Sequence, residues 1–388
     1  NDQYDAFKKE RAKAAKAGKK PPKFNYPSVP KLVNIFINDI AKKDAPWWFA
    51  ERIPRRIAEH TAIDLKAAFG HAFRRWREGK RGKKAGFPKY KGRNSPKSFT
   101  IRGAIHVCED QIKLPNISFW IALKQKSFLP QDGFFPNAPK DLTKADPHLI
   151  RYMKATISKR AGRWFIALLC EVDKTNPNTS DGARLGVELG VRKHAYCSDG
   201  RVFENPEPLK RMLKRMNRLN RIMKRRFVKG AKQQSNRYYK AKDAYARIHY
   251  RIACLRRDAA HKTTTAILGV HETDPENRPK EIVLRGSSYI GMLDRDLATN
   301  KKLRNRLARR VADSAMGQLR RMLIYKAERE GINVVITDEF FESTQICSSC
   351  GYVLQGSERL THQPVFRCPQ CGYSADRDEN SSYNLRDY

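Results

Sequence analysis

The chain has 388 residues, with 79 Lys and Arg against 40 Asp and Glu, and a formal charge of +39. That length allows two or three domains at roughly 100–200 residues each, and the charge far exceeds the net charge of about 2–8 that suits a small soluble domain. A polyanionic partner is therefore expected, nucleic acid ahead of a membrane surface, because the charge runs the whole length and no apolar run approaches the roughly 18 residues of a membrane span.

Residues 1–78 read as mainly helical. Ile57, Thr61, Leu65, Ala68, Ala72, Phe73 and Trp76 recur at helical spacing as one apolar stripe. Pro21-Pro22 and Pro46 separate this helix from two shorter ones, and Trp47-Trp48-Phe49 is read as core of the same helical region. Next comes a basic loop, Gly79 to Arg93, in which Lys80, Arg81, Lys83, Lys84, Lys89, Lys91 and Arg93 can neutralise phosphates. Its aromatics Phe87 and Tyr90 either stack on unpaired bases or pack into the barrel expected to follow, with only the charges facing solvent.

From Ser98 to Val172 the texture changes to β-branched and aromatic runs broken by Gly, Pro and Asn, which predicts strands. Lys174–Gly182 is a linker, and LGVELGV then opens a more buried strand. Residues 206–268 form a helical hairpin with Gly230 near its turn. One stripe runs from Leu209 through Met216 to Ile222, the returning one from Ala241 through Ile248 to Ala259. Lys210, Arg211, Lys214, Arg215, Arg218 and Arg221 occupy the polar face with few acids to pair them, which suggests contact with phosphates. A strand (Glu281–Leu284), a helix (about Leu303–Glu330) and a strand (Ile332–Ile336) complete an α/β layer pattern.

Cys347-Ser-Ser-Cys350 and Cys368-Pro-Gln-Cys371 are separated by 17 residues, and each pair is followed by Gly. Two such turns supply four thiolates for one tetrahedral Zn²⁺, a closed and hence structural site. His362 between them is read as an exposed loop histidine. The other cysteines, Cys108, Cys170, Cys197 and Cys254, are scattered and read as buried thiols. Such usage suits a reducing compartment, the cytoplasm or nucleoid. No signal peptide is visible, although the sequence opens at Asn1 without methionine, which leaves room for a missing upstream piece.

LGVELG-V-RKHAYCSDG, the basic hairpin ending in DAAHKTTT, STQICSSCG, FRCPQCG and ADRDENSSYNL follow one another in an order that resembles the transposon-encoded TnpB proteins and their relatives, the small type V CRISPR effectors. GFPKYKGR-N-SPKSFTI and QIKLPNISFWIAL resemble the amino-terminal half of that family, so the likeness covers nearly the whole chain. The resemblance implies a multidomain α+β protein. A helical recognition lobe (1–96) and a β-barrel, WED- or OB-like domain (97–174) would precede an RNase-H-like (RuvC) α/β domain (182–342) with an inserted zinc ribbon (343–374) and a last RuvC-like segment (375–388). Relatives begin with a Lys/Arg-rich strand and a Pro turn not found here, so the first barrel strand is expected to be missing. The implied partners are a guide RNA and a double-stranded DNA target beside a short motif read by the protein.

Active relatives hold two metal ions on three carboxylates. Carried over position by position, the first acid is Glu188 in place of Asp, the second falls on Arg285, and the third is Asp378. Three acids would give −3; Glu188, Arg285 and Asp378 give −1, and Mg²⁺, which demands near-ideal octahedral geometry, is not expected to bind productively. The resemblance is therefore strongest to the nuclease-dead branch of the family, which acts in RNA-guided transcriptional repression, with an active endonuclease as the alternative. Glu281, at the start of its strand, lies about four residues from the strand's active end, too far to substitute.

Overall fold

The computed structural model describes residues 9–10, 13, 17, 28–35, 37–38, 55–80, 86–89, 97–124 (less 104, 108–109 and 116), 151–171, 180–286 (less 232), 301–360 and 363–388. The chain divides into two compact units, Asn1–Lys174 and Thr175–Tyr388.

In the first unit, helix α1 (Val29–Ile35) packs on α2 (Arg55–Arg77) through Val33, Ala58 and Ala62. The buried line of α2 is Ala58, Ala62, Phe69 and Ala72, whereas Leu65 is exposed and Thr61 returns its hydroxyl to the Ile57 carbonyl. Of the expected stripe Ala72 is buried and Ile57, Ala68, Phe73 and Trp76 are half-buried; Thr61 and Leu65 are exposed, and Ala58, Ala62 and Phe69 are buried in addition. Trp47-Trp48-Phe49 lies outside the described residues.

Strands β1 (Lys97–Arg102), β5 (Arg151–Arg160) and β6 (Arg163–Glu171) form one antiparallel sheet; β2 (His106–Val107), β3 (Gln111–Lys113) and β4 (Ile121–Ala122) form another. Ile101, Ile105, Val107, Ile112, Leu114 and Ala155 make their shared core, and Ile57 of α2 packs against it. Among the described residues these are two three-stranded sheets and not a closed barrel. The run ISFWIAL yields only the two residues of β4, and Phe119 is among the more exposed large side chains.

The second unit is built on a five-stranded sheet in the order β11-β10-β7-β8-β9. Its strands are β7 (Gly182–Leu189), β8 (Lys193–Cys197), β9 (Val202–Glu204), β10 (Pro279–Leu284) and β11 (Asn333–Ile336). Side chains alternate across a strand, so Leu185, Val187 and Leu189 fall on one face while Gly186 and Glu188 fall on the other. The first face meets Ile282 and Leu284 and carries the main core, closed by Ala260, Ile267, Leu319, Leu323 and Ala327 from helices α4 (Asn236–Ile267) and α6 (Met316–Arg329). The opposite face is covered by the last helix, α7 (Arg377–Asp387). There Gly186 is obligatory: a Cβ would lie 2.0 Å from the Ser382 carbonyl oxygen.

The predicted hairpin is α3 (Pro208–Arg226) and α4, joined through Met216, Ile248 and Ile252. Glu207 at the α3 N-terminus is left-handed and makes no capping bond. The buried Asp313 replaces it, accepting from the backbone N–H of Leu209 and Lys210 while paired with Arg256 at 3.0 Å. The single helix expected over Leu303–Glu330 is instead two, α5 (Lys301–Ser314) and α6, because Ala315 turns left-handed at φ 53°. Of the scattered cysteines Cys197 is buried, Cys170 and Cys254 are only half-buried, and Cys108 lies outside the described residues. No helix among the described residues is long and apolar enough to cross a membrane.

Candidate functional site

Three side chains far apart in sequence meet on the α7 face of the sheet. β10 runs parallel to β7 with Val283 opposite Gly186 and Leu284 opposite Val187. Continuing that register brings Arg285 beside Glu188, and its guanidinium lies 3.9 Å from Glu188 Oε1. The Ser381 hydroxyl, on α7, touches Glu188 Oε2 at 2.9 Å and Ser343 Oγ at 2.7 Å. Asp378 sits in the first turn of α7, where its backbone N–H is accepted by Asp376 Oδ1. Gly190, at the end of the Glu188 strand, keeps room for it: a Cβ there would be 3.1 Å from Asp378 Oδ2.

Glu188 is buried, and burial pushes its pKa up to about 7; Arg285 opposes this, Asp378 adds to it, and the Ser381 bond opposes it again. Asp378 carries a partner the sequence did not disclose: Arg377, whose guanidinium pairs with it at 3.1 Å. The formal sum over Glu188, Arg285, Asp378 and Arg377 is zero, against −1 for the first three. Asp376 is engaged as well, by the Asp378 amide and the Tyr196 hydroxyl. Glu281 pairs with Arg184, away from this cluster. A pair of divalent cations needs a concentration of carboxylate charge and free oxygen ligands. These residues do not fit one.

The raised pKa has a measurable consequence. Between the unfolded value near 4.5 and the folded value near 7 the native state holds a proton that the unfolded chain has released. The contribution of Glu188 to stability therefore falls as pH rises through that window, by up to roughly 3 kcal/mol. Glu188→Gln is expected to remove this slope, seen as a flatter melting temperature between pH 5 and pH 8. Parallel curves for the two proteins would refute the assignment.

The four cysteines form the second cluster. Each knuckle is the same turn: Cys347 N–H donates to Tyr352 O and Gly351 N–H to Cys347 O, and Cys368 and Gly372 repeat the pattern with Tyr373 and Cys368. Gly351 and Gly372 take φ of 76° and 73°, open to glycine without strain. Four sulfurs bound to one ion at about 2.3 Å lie roughly 3.8 Å apart in a tetrahedron. Here Cys347–Cys371 is 3.7 Å, Cys350–Cys368 is 3.6 Å, and all four sulfurs fall within 4.8 Å. The cluster can hold a metal ion such as zinc. Asn380 ties it to the acid site, accepting from Ser348 N–H and donating to Ile346 O from the same helix that carries Asp378 and Ser381.

Comparisons with known proteins agree with these features. Residues 167–274 match the family described as "Probable transposase" (OrfB of IS605 elements), and residues 317–385 match "Cas12f1-like, TNB domain". The "Putative RNA-guided DNA endonuclease" of Streptomyces pristinaespiralis is 29% identical over 83% of this chain and 68% of its own length. "Putative RNA-guided DNA endonuclease InsQ" of Escherichia coli K12 is 27% identical over 86% and 74%. "TnpB-like protein L770" of Acanthamoeba polyphaga mimivirus is 23% identical over 71% and 52%.

Over these segments the chain is similar to TnpB-type proteins.

A solved Cas12f1–sgRNA–target DNA complex aligns over 99% of this chain and 92% of its own, at a TM-score of 0.36 and 13% identity, too slight to bear on the fold. The basic residues expected to meet phosphates are placed unevenly. Lys210 pairs with Glu207, while Arg211, Lys214, Arg215, Arg218 and Arg221 are exposed along α3. Lys80 pairs with Glu78 at 3.3 Å and Lys89 is exposed; Arg81, Lys83, Lys84, Tyr90, Lys91 and Arg93 lie outside the described residues, as does His362. Phe87 packs edge-on to Phe73 of α2 at 5.3 Å, so it is packed against the helix, where the barrel was expected.

Proposed function

We propose that this TnpB-like protein is an RNA-guided, sequence-specific DNA-binding protein whose RuvC-like nuclease site is closed by an internal ion pair, and that it represses transcription. The observation that carries this reading is the Arg285 guanidinium held at 3.9 Å from Glu188, in a cluster whose formal charges cancel. On this reading the five-stranded sheet with α7 is an RNase-H-like scaffold spanning 182–342 and 375–388, and 343–374 is an inserted zinc ribbon. Residues 1–96 and 97–174 are the helical lobe and the WED-like domain. The partners are a guide RNA and a double-stranded DNA target beside a short motif. The similarity to proteins described as putative RNA-guided DNA endonucleases favours a second reading, an active endonuclease.

Two measurements separate the readings. Sequencing the RNA that copurifies with the full chain is expected to return one discrete species with a variable guide segment; bulk cellular RNA would sink the guided reading altogether. With that RNA, a plasmid carrying the matching target is expected to be bound but left uncut in Mg²⁺ or Mn²⁺. Guide-dependent cuts abolished by Asp378→Ala would establish the endonuclease instead.

A further inference from the structure

The tip of the α3–α4 hairpin is built unlike the rest of its surface. Between Arg221 and Lys242 the sequence holds nine Lys and Arg and no acid. At the centre of that charge stand Phe227 and Val228, 55% and 61% exposed. They are not frayed ends. The Gln234 side chain clasps the Val228 backbone from both sides, its Oε1 accepting the N–H at 2.8 Å and its Nε2 donating to the carbonyl at 2.7 Å. The Tyr239 hydroxyl accepts from Gln234 N–H, and Ser235 caps α4 by accepting from Tyr238 N–H. Gly230, at φ 81°, makes the turn. Phe227 and Tyr238 are neighbouring tilted rings 6.0 Å apart, and Tyr238 meets Tyr239 edge-on at 5.6 Å.

A solvated charge run needs no aromatic cluster and no side chain spent on fixing its loop. Exposed aromatics in a held conformation, set in a run of cations, match unpaired nucleotides: the charges neutralise the backbone and the ring faces take bases whatever their identity. Duplex DNA fits less well, since its bases are already stacked and closed to a side chain that reads no groove edge. RNA offers loops and ends with splayed bases before any duplex is opened. We infer that the hairpin tip is a stacking site for unpaired RNA nucleotides, with Phe227 and Tyr238 as its platform and the surrounding Lys and Arg as its phosphate clamp. This rests on the proposed role of RNA as partner, and adds to it a named contact that the acid site and the ribbon do not supply.

The test uses the full chain, stripped of copurified RNA at high salt, with a fluorescent single-stranded RNA of mixed sequence containing 2-aminopurine. Phe227→Ala is expected to weaken binding by about tenfold or more and to leave the salt dependence unchanged, because no phosphate contact is lost. Phe227→Trp is expected to keep the affinity, and 2-aminopurine fluorescence should be quenched on binding to wild type and less so with Phe227→Ala. Since the side chain is exposed, all three proteins should melt together. Unchanged affinity in Phe227→Ala, an unquenched probe, or an equal loss on a duplex DNA of the same length would each overturn the inference. The two proposals fail separately. Wild type copurifying with bulk RNA while Phe227→Ala loses the stacking signal rejects the guided reading alone. A discrete guide held equally by both proteins with no quenching rejects the stacking site alone.

Discussion

On the proposed reading, the double substitution Glu188→Asp with Arg285→Glu is expected to create divalent-metal binding at the acid site. Arg285 lies 3.9 Å from Glu188. At that range a unit charge acts with on the order of 4 kcal/mol at an effective dielectric near 20, so removing the cation alone is worth roughly a thousandfold in metal affinity. Glu in its place supplies the missing oxygen ligands, and Asp at 188 withdraws the carboxylate by one methylene to where an octahedral ion can use it. A Mn²⁺ titration followed by electron paramagnetic resonance should show tight binding for the double variant, weaker binding for Arg285→Gln, and none for wild type. On guide-matched DNA only the double variant should cut. Wild type binding Mn²⁺ as tightly as the double variant would show that the ion pair does not close the site.

Removing a metal ion held by the four-cysteine cluster is expected to have the largest effect on stability. Apparent binding energies of structural Zn²⁺ are on the order of 10–16 kcal/mol, comparable with the whole stability of a domain. The purified chain should carry one zinc by atomic absorption. Stripping it with a strong chelator, or replacing Cys368 by Ser, should lower the melting temperature sharply. The loss should reach beyond the ribbon, because Asn380 and Asn384 both donate to Ile346 O and Asn380 also accepts from Ser348 N–H. Loosening the segment from Ile346 to Ser348 is expected to release α7, and with it Ser381 from Glu188. A metal-free chain with an unchanged melting curve would mean that the four thiols fold without an ion.

Much of this was legible in the sequence because it rests on short-range rules. The doubled C-x-x-C spacing encodes the knuckles directly, and the two stripes of the hairpin reproduce as α3 and α4. Gly186-Val187-Glu188-Leu189-Gly190 could be aligned as a frame, although the reason for its glycines is tertiary: one is pressed by the Ser382 carbonyl and the other faces Asp378. Arg377 was passed over because adjacency in sequence says nothing about whether a neighbour's guanidinium turns back onto Asp378. The run Asn380-Ser381-Ser382 was the available signal: small polar residues, fully buried, mark a helix face that must press on a strand and still bond. The break at Ala315 left no sequence signal at all, since alanine is the best helix former and only packing makes it turn. Phe87 and Leu65 were misjudged or undecided for one reason, that periodicity identifies an apolar face without saying which neighbour will cover it.

The contact between Ser381 and Glu188 joins residues 193 apart. Loop closure over such a span is costly and slow, and non-local pairings of this kind govern how fast a domain folds. The acid cluster is therefore among the last features to assemble, after the hairpin and the ribbon knuckles, which need only local contacts. Refolding monitored at that face should lag behind hairpin formation.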